Sequence, residues 1–310
     1  MESFFDYYEL HKSTNDITDK FKKDPSNKLC RFCTKAYPNV SFDSAPHIVP
    51  ELFGRNNITS NFECDSCNQK FQKFESDTST MIQHYLALLN IKTKNGIPIF
   101  QSKKNPDEYS TTLKSINNNR NLNFGTNLTD FEFNDEEKSL TVNFRTRNFR
   151  PYSVYKIFLK MGISLLTENE LQTNNHYLDF LNSEDPITNG MQNWTVYRYM
   201  LKTKYHLTPK VNLYKAKETL IEGVEFPEYT LLVNFANIIF QFFLPISKKN
   251  MEEHKKENHL RLELFPSFVL EDITRLKAIE MHNFDLKETN KVSITDKVIL
   301  HYKSRDTSAE

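Results

Sequence analysis

Four cysteines constrain this chain more than any other feature of its sequence. They form two C-x-x-C pairs, Cys30 with Cys33 and Cys64 with Cys67, and the chain contains no other cysteine. Each pair can present two sulfurs to one point, so the two pairs together predict a tetrahedral zinc site. Two disulfides or four ordinary buried thiols are the alternatives, and the clustering together with a reducing compartment disfavours both. Four thiolates leave no coordination position open to water, so this zinc is expected to be structural.

Composition limits how the chain can bind its partners. Its 310 residues include 40 Lys+Arg and 40 Asp+Glu, whereas a protein that holds nucleic acid by gross electrostatics is usually basic. Any contact with nucleic acid must therefore be local. The longest apolar runs are interrupted before the roughly 18 residues of a membrane span, and the N-terminal residues lack the pattern of a secretory signal. We therefore expect a cytoplasmic protein without a membrane segment.

Hydrophobic periodicity predicts an α+β chain in two parts. Apolar residues at helical spacing predict a helix over about 67–89, and the first 23 residues read as one or two short helices. A polar, Asn-rich stretch over 103–129 is expected to connect a domain at 1–102 with a domain at 130–310. In the second domain, the pattern predicts a hairpin over 131–149, helices over 151–166 and 171–181, and strands over 211–214, 229–235, 238–244 and 260–264.

A second motif stands between and beside the cysteine pairs. His47 lies in the sequence Pro-His-Ile-Val-Pro, Asn61 precedes Cys64 by three residues, and Asn68 follows Cys67 directly. A zinc-pinned turn that begins a helix would fix Asn68 in space. Gln72 and Glu75 would then lie on the same helix face, one and two turns further on.

Taken together, these residues resemble the HNH endonuclease family, in the branch whose ββα metal motif is stapled by a CxxC…CxxC zinc site. The resemblance covers residues 28–90. His47 matches the first His of the motif, Asn61 the middle Asn, and Asn68 the last position, where many members have His and others Asn. The resemblance implies an N-terminal ββα-metal nuclease domain with a structural four-cysteine zinc site, followed by an α+β accessory domain.

The resemblance also implies a reaction, the metal-dependent hydrolysis of phosphodiester bonds in DNA, most simply double-stranded DNA. His47 would be the general base, because an imidazole titrates near neutral pH, and Asn61 would orient its ring. Asn68 would bind one divalent cation, Mg²⁺ or Mn²⁺, which stabilises charge on the leaving group. Such nucleases often serve in phage defence or restriction, with an accessory domain that binds a partner protein or forms a homodimer.

One position departs from the family pattern. Many members carry an acidic or His metal ligand immediately before the base, and Pro46 stands there in this chain. Asp43 and Glu75 are the candidate replacements, because hard cations prefer carboxylates, although a turn Asp and a solvated helical Glu would look the same in sequence. The departure also motivates a second hypothesis, a non-catalytic zinc-stapled module that binds nucleic acid or protein.

Basic side chains near the motif are candidates for contact with substrate phosphates. We single out Arg55, Lys70 and Lys73 among a set that also includes Lys28, Arg31 and Lys35. Acidic neighbours balance them, so an ordinary mixed surface is the alternative. On the helix predicted over 151–166, Tyr152, Tyr155, Lys156 and Lys160 would form a basic aromatic face, which either touches nucleic acid or a partner or is simply solvated.

Overall fold

The computed structural model describes residues 4–17, 21–22, 28–102, 111–116, 119–124, 131–188, 192–201, 206–255, 257–265 and 278–304. The fold is α+β. Its helices are α1 (Phe4–Tyr7), α2 (Asp65–Leu88), α3 (Pro151–Leu165), α4 (Glu168–Thr173), α5 (Tyr177–Asn182) and α6 (Lys248–Glu253). Its strands are β1 (Tyr8–Ser13), β2 (Phe100–Gln101), β3 (Thr112–Ile116), β4 (Asn119–Asn123), β5 (Phe131–Asn134), β6 (Ser139–Arg145), β7 (Thr195–Leu201), β8 (His206–Ala216), β9 (Leu220–Ile221), β10 (Val224–Glu225), β11 (Tyr229–Ala236), β12 (Ile238–Phe243), β13 (His259–Leu260), β14 (Ala278–Asp285) and β15 (Thr295–His301).

A six-stranded antiparallel sheet is the scaffold of the fold. Its strand order is β1-β8-β11-β12-β7-β14, and β11 and β12 form the central hairpin. Every residue of these two strands is buried, which explains why they read as continuous apolar runs rather than as an alternation. The prediction of strands over 229–235 and 238–244 is confirmed.

Helix α3 packs between the large sheet and α2. Pro151 begins it at a position where the missing N–H costs nothing, and all of its residues are buried. The ring of Phe158 stacks on that of Phe242 at 5.7 Å, and a Cβ on Gly162 would lie 2.8 Å from Leu244 Cδ1. The predicted helix is confirmed, but the prediction that its basic and aromatic side chains form an exposed face is wrong. Tyr152, Tyr155, Lys156 and Lys160 are all buried, because α3 is covered on both sides.

Helix α2 has two different halves. Cys64 is its N-cap, and its first turns carry the residues of the metal motif. Further along, Met81, Ile82 and Leu86 pack in the same core as residues of α3 and the sheet. The predicted helix over 67–89 is confirmed, with a start two residues earlier at Asp65.

The N-terminal segment differs from its prediction. Among its described residues, Phe4–Tyr7 is α-helical, Tyr8–Ser13 is an edge strand that pairs antiparallel with β8, and Thr14–Asp16 forms a single 3-10 turn. Tyr8 and Ser13 at its two ends are buried, the residues between them are exposed or half-buried, and the pairing is irregular between Leu10 and Lys12. The strand forms because β8, two hundred residues away in the chain, offers unpaired backbone groups, and a local pattern cannot show such a partner.

The predicted connection over 103–129 is only partly within the described residues. There, β3 and β4 form an antiparallel hairpin that extends from β2. One continuous hydrophobic core includes Phe71 from the first predicted part and Phe158 from the second. The boundaries between the two predicted domains stay a prediction. No helix in the described ranges is both long and apolar enough to span a bilayer.

Candidate active site

The four cysteine sulfurs converge on one point. Cys30 Sγ lies 3.7 Å from Cys67 Sγ, Cys33 Sγ lies 3.7 Å from Cys64 Sγ, and all four atoms are within 4.8 Å of one another. A tetrahedral zinc with Zn–S bonds of about 2.3 Å would place its sulfurs about 3.8 Å apart. The hydrogen bond with Cys67, aided by backbone N–H groups, lowers the pKa of Cys30 to about 5 against the opposing effect of burial, whereas burial raises the pKa of Cys33 to about 11. The spacing of the four sulfurs therefore fits zinc.

Asp65 ties the loop before the site to the start of α2. Its carboxylate accepts hydrogen bonds from the backbone N–H groups of Asp43 and Ser44, both 2.9 Å away, and from the hydroxyl groups of Ser41 and Ser44. Burial opposes ionisation of this group, but the hydrogen bonds outweigh it and lower the pKa of Asp65 to about 2. The carboxylate fixes residues 41–44 against the helix that the zinc site begins.

His47 lies on a short antiparallel ribbon that precedes α2. It stands opposite Thr59, and the ribbon is closed by hydrogen bonds from Ser60 N–H to Pro46 O (2.8 Å) and from Ile48 N–H to Ile58 O (2.9 Å). The loop between the two arms turns at Gly54, whose φ of 132° is a conformation that side chains rarely adopt. Ribbon and helix together present His47 beside the first turns of α2.

A cavity of 680 Å³ opens between this ribbon and α2. Its walls come from three elements. The ribbon and its loop contribute His47 and Glu51, and the short hairpin at 93–96 forms the opposite rim. The face of α2 contributes Asn68, Gln72, Glu75 and Ser79, which the helical spacing places in one row. The structure thus brings His47, Asn68 and Glu75 to one cavity.

The imidazole of His47 is oriented by Asn56. Asn56 Oδ1 lies 3.3 Å from His47 Nδ1, while its Nδ2 donates to Val49 O (3.1 Å) and Gly54 O (3.0 Å). Because the amide nitrogen already faces two carbonyls, the amide oxygen must face the ring, so Nδ1 carries the proton. The other nitrogen, Nε2, then holds a lone pair and lies 3.8 Å from Glu51 Oε2.

Asn61, predicted to orient His47, lies elsewhere. Its Oδ1 accepts from the backbone N–H of Lys22 at 2.7 Å, and it lines a separate cavity with Arg31 and Thr59. Thr59 is the cross-strand neighbour of His47. Asn61 lies two residues further along the same arm of the ribbon and is therefore not opposite the imidazole. Asn56 was missed because its role depends on how the loop folds back. The only signal in the sequence is an Asn pair directly after Gly54-Arg55, a typical turn sequence.

Two carboxylates reach the cavity, and Asp43 is not one of them. Asp43 is exposed and lines an adjoining depression that includes Asn68 but not His47. Glu75 lines the cavity; burial raises its pKa, and the positive charge of Lys160 opposes that effect. Glu51 is the second carboxylate, and the sequence analysis missed it although it stands four residues after His47.

The cavity is lined by oxygen donors, although among the described residues its His and Glu side chains are not grouped as closely around one point as the four cysteines are. Asn68 uses its Nδ2 to donate to Ser44 Oγ at 3.3 Å, which leaves the amide carbonyl as its ligating group. With the carboxylates of Glu51 and Glu75, the cavity offers the oxygen donors that Mg²⁺ and Mn²⁺ prefer.

Of the basic residues singled out in the sequence, only Arg55 lies beside the cavity. Arg55 Nε donates to Thr93 O at 3.1 Å and so braces the hairpin at 93–96, on which the exposed Lys94 also lines the cavity. Lys70 and Lys73 follow Asn68 by two and five residues, which turns them away from the cavity face of α2. Lys70 Nζ instead donates to Asn182 Oδ1 at 2.9 Å.

Arg31 is also committed to the protein itself. Its Nη1 donates to the backbone carbonyls of Ile163, Ser164 and Leu166 at 3.1–3.2 Å, and its guanidinium lies 4.0 Å from the centre of the Phe62 ring. These carbonyls lie at the end of α3, where a helix leaves acceptors to be satisfied by other groups, although Ile163 O also accepts from Leu166 N–H at 3.3 Å. The arginine therefore joins the first cysteine pair to the second half of the chain.

Fold and site together define an α+β protein with a four-cysteine metal site beside an ionisable, oxygen-rich cavity. Residues 30–83 match the family model described as HNH endonuclease, and the chain thus carries an HNH domain near its N-terminus. The match indicates a nuclease domain and hence a nucleic-acid substrate. No curated protein and no solved structure matches the chain.

Proposed function

We propose that this protein is a metal-dependent endonuclease that hydrolyses phosphodiester bonds of DNA with His47 as the general base. The observation that carries the proposal is the meeting of His47, Asn68 and Glu75 in one cavity within the HNH-matching segment. The zinc site fixes the start of α2 and takes no part in the chemistry, since its four thiolates fill a tetrahedral shell.

His47 takes the proton of the attacking water at Nε2. Asn56 holds the proton on Nδ1, so the lone pair of Nε2 stays available on the cavity side. As the water oxygen bonds to phosphorus and the bond to the 3′ oxygen breaks, the ring becomes an imidazolium. The carboxylate of Glu51, 3.8 Å from Nε2, stabilises that positive charge.

Asn68 and Glu75 would hold the divalent cation. When bound, this ion neutralises the negative charge that develops on the phosphate and the leaving oxygen. Glu75 is the better replacement for the ligand that Pro46 cannot supply, because Asp43 does not line the cavity with His47. The proline therefore need not abolish catalysis.

Basic side chains near the rim of the cavity would contact the phosphates of the substrate. Arg55, Lys92 and Lys94 are exposed there, on the loop and the hairpin that Arg55 braces. Such side chains position a nucleic acid through its phosphates without reading its sequence. Because the chain has no net charge, its attraction to phosphates would have to come from a local group of basic side chains such as this one.

The test compares the wild-type protein with His47→Ala on plasmid DNA and on RNA, with Mg²⁺ or Mn²⁺. We expect metal-dependent cleavage by the wild type, loss of cleavage in the variant, and one zinc per chain in both, because His47 lies outside the cysteine cluster. His301→Ala, at an exposed position of β15, is the matched control. Undiminished cleavage by His47→Ala would refute the proposal.

For the biological setting, we propose phage defence or restriction, on the strength of the resemblance of the motif to such nucleases. Under this proposal, the sheet-rich second half binds a protein partner or a second copy of the chain. Phage challenge of cells that express the wild type or His47→Ala is the test. Equal plaque counts on the two strains would contradict a role in defence.

A non-catalytic zinc-stapled module is the second candidate function, and Pro46 is the observation that favours it. Titration of Mn²⁺ into the zinc-loaded protein, followed by calorimetry, separates the two. Saturable binding that Asn68→Ala removes would count against this alternative. Absence of such binding, together with DNA binding without cleavage, would establish it.

A further inference from the structure

Lys160 lies on α3, far from the metal motif in sequence, yet its ammonium group reaches the backbone of His47. Its Nζ lies 3.1 Å from His47 O and 3.1 Å from Glu63 Oε2, and the side chains of Lys160 and Glu63 are both completely buried. The ammonium also lies 4.8 Å from the centre of the Phe71 ring. The contact therefore joins α3, the ribbon and α2 at one point.

The geometry of the ribbon explains why His47 O needs this partner. The ribbon hydrogen bonds are made by Pro46 O and Ile48 N–H, which flank His47 and point towards the opposite arm. In an antiparallel pair of this kind, the N–H and C=O of the residue between them point outwards. A buried outward carbonyl costs free energy unless a donor satisfies it, and Lys160 supplies that donor.

The ion pair itself is a poor source of stability. Removing two charges from water is expensive, and both of these side chains are completely buried. Lys156, one turn earlier on α3, is also buried and donates to Ser183 O, but it touches no residue of the ribbon in its described contacts. Lys160 differs from Lys156 in its hydrogen bond to the backbone carbonyl of His47, the proposed general base.

We propose that Lys160 is a positioning residue for the hydrolysis, and that its bond to His47 O holds the imidazole against the cavity. This inference rests on the proposed function. It makes α3, and with it the second half of the chain, part of the catalytic scaffold. Glu63 has a separate task, which is to neutralise the buried ammonium.

The experiment compares Glu63→Gln, Lys160→Met and the double variant, with Lys156→Met as the control on the same helix. Lys160→Met alone leaves a buried carboxylate without its partner and is expected to lose stability. The double variant removes both charges and keeps the fold. We expect its kcat to fall about 10- to 100-fold, as for a small misplacement of a catalytic group, with KM and zinc content unchanged. Glu63→Gln and Lys156→Met should keep kcat near the wild-type value.

Two outcomes would overturn the inference. Wild-type kcat in the folded double variant would mean that Lys160 only neutralises Glu63, and an equal loss of kcat in Lys156→Met would mean that any change in α3 has this effect. NMR of the His47 ring gives a readout that does not depend on cleavage. Its resonances should shift or broaden in the double variant and not in Lys156→Met, so failure of the inference and failure of the nuclease proposal are distinguishable.

Discussion

Single side chains decide what the cavity can do. The amide of Asn56 selects the tautomer of His47, because its Nδ2 donates to Val49 O and Gly54 O, and its Oδ1, which also accepts from Ile58 N–H at 3.0 Å, faces the ring. Under the proposed function, Glu75 supplies the carboxylate that Pro46 does not, and Glu51 stabilises the charged form of the ring. A general base needs a lone pair in the right place and a neighbour that stabilises its charged form. In the proposed mechanism, the amide of Asn56 meets the first need and a carboxylate meets the second.

Replacing Asn56 is expected to reduce catalysis more than replacing Asn61. Asn56→Ala frees the ring to rotate and to change tautomer, and should lower kcat by a large part of the roughly 100- to 10,000-fold that general base catalysis contributes. Asn61→Ala should keep kcat near the wild-type value, because its carbonyl bonds to Lys22 N–H. Steady-state cleavage of a labelled duplex measures both, and the reverse ranking would return the orienting role to Asn61.

Glu75 and Asp43 are separable by cation affinity. Glu75→Gln removes a carboxylate that lines the cavity and should weaken Mn²⁺ binding by about tenfold or more, since hard cations depend on ligand charge. Asp43→Asn changes an exposed side chain that does not line the cavity with His47, and should leave the affinity unchanged. Calorimetric titration gives both constants. A loss confined to Asp43→Asn would identify Asp43 as the ligand.

At the scale of elements, α2 and α3 share the site between them. Helix α2 begins at the zinc cysteines and carries the oxygen donors, while α3 packs against it and contributes Lys160 from below the ribbon. Arg31, which lies between the first two cysteines, binds the last carbonyls of α3 and so makes a second polar contact between the zinc-site region and this helix. The two helices are therefore held by polar contacts in both directions as well as by the core.

Loss of Arg31 should destabilise the protein without removing zinc. Arg31→Met leaves three carbonyls at the end of α3 without their charged donor and should cost about 1.5–3 kcal/mol of unfolding free energy, the range for hydrogen bonds to charged groups. Lys35→Met changes an exposed residue close to the same cysteine pair and is the control. Urea denaturation gives the difference; equal midpoints for the two variants would show that the carbonyls are satisfied in another way.

At the scale of the whole molecule, a buried polar network joins distant parts of the chain. Asp296 on β15 accepts from His84 Nε2 on α2 at 2.8 Å, from Arg198 on β7 at 3.2 Å, and from the hydroxyl of Tyr85. The side chains of Asp296 and Arg198 are completely buried. Three elements that are far apart in sequence, α2, β7 and β15, thus meet at one carboxylate.

Neutralising Asp296 should lower the free energy of unfolding without removing any residue that lines the cavity. Asp296→Asn removes the buried carboxylate that accepts from His84, Tyr85 and Arg198 and should cost about 3–5 kcal/mol. Asp285→Asn, at the exposed end of β14, is the matched control and should change little. Urea unfolding followed by circular dichroism measures both. A loss below about 1 kcal/mol for Asp296→Asn, the size of a surface effect, would contradict the role of the network.

Features set by neighbouring residues were determined by the sequence alone. The spacing of the cysteines predicts their cluster, and helical periodicity predicts α2, with Asn68 and Glu75 on one face. Continuous apolar runs predict the central strands of the sheet. Each of these follows from the 3.6- and 2-residue repeats of backbone geometry or from the short reach of a turn, so nothing distant is needed to see them.

The tertiary structure alone decided which groups meet across long separations in the chain. Lys160 reads as part of a surface stripe until α3 is seen between the sheet and α2, and the first strand reads as a helix until β8 is placed beside it. Asn56 and Asn61 are equivalent in sequence until the loop folds back on Val49. Packing a chain of this length around its hydrophobic cores brings together groups that are distant in sequence. Whether such a group is hydrogen-bonded or loses its contact with water depends on its position in space.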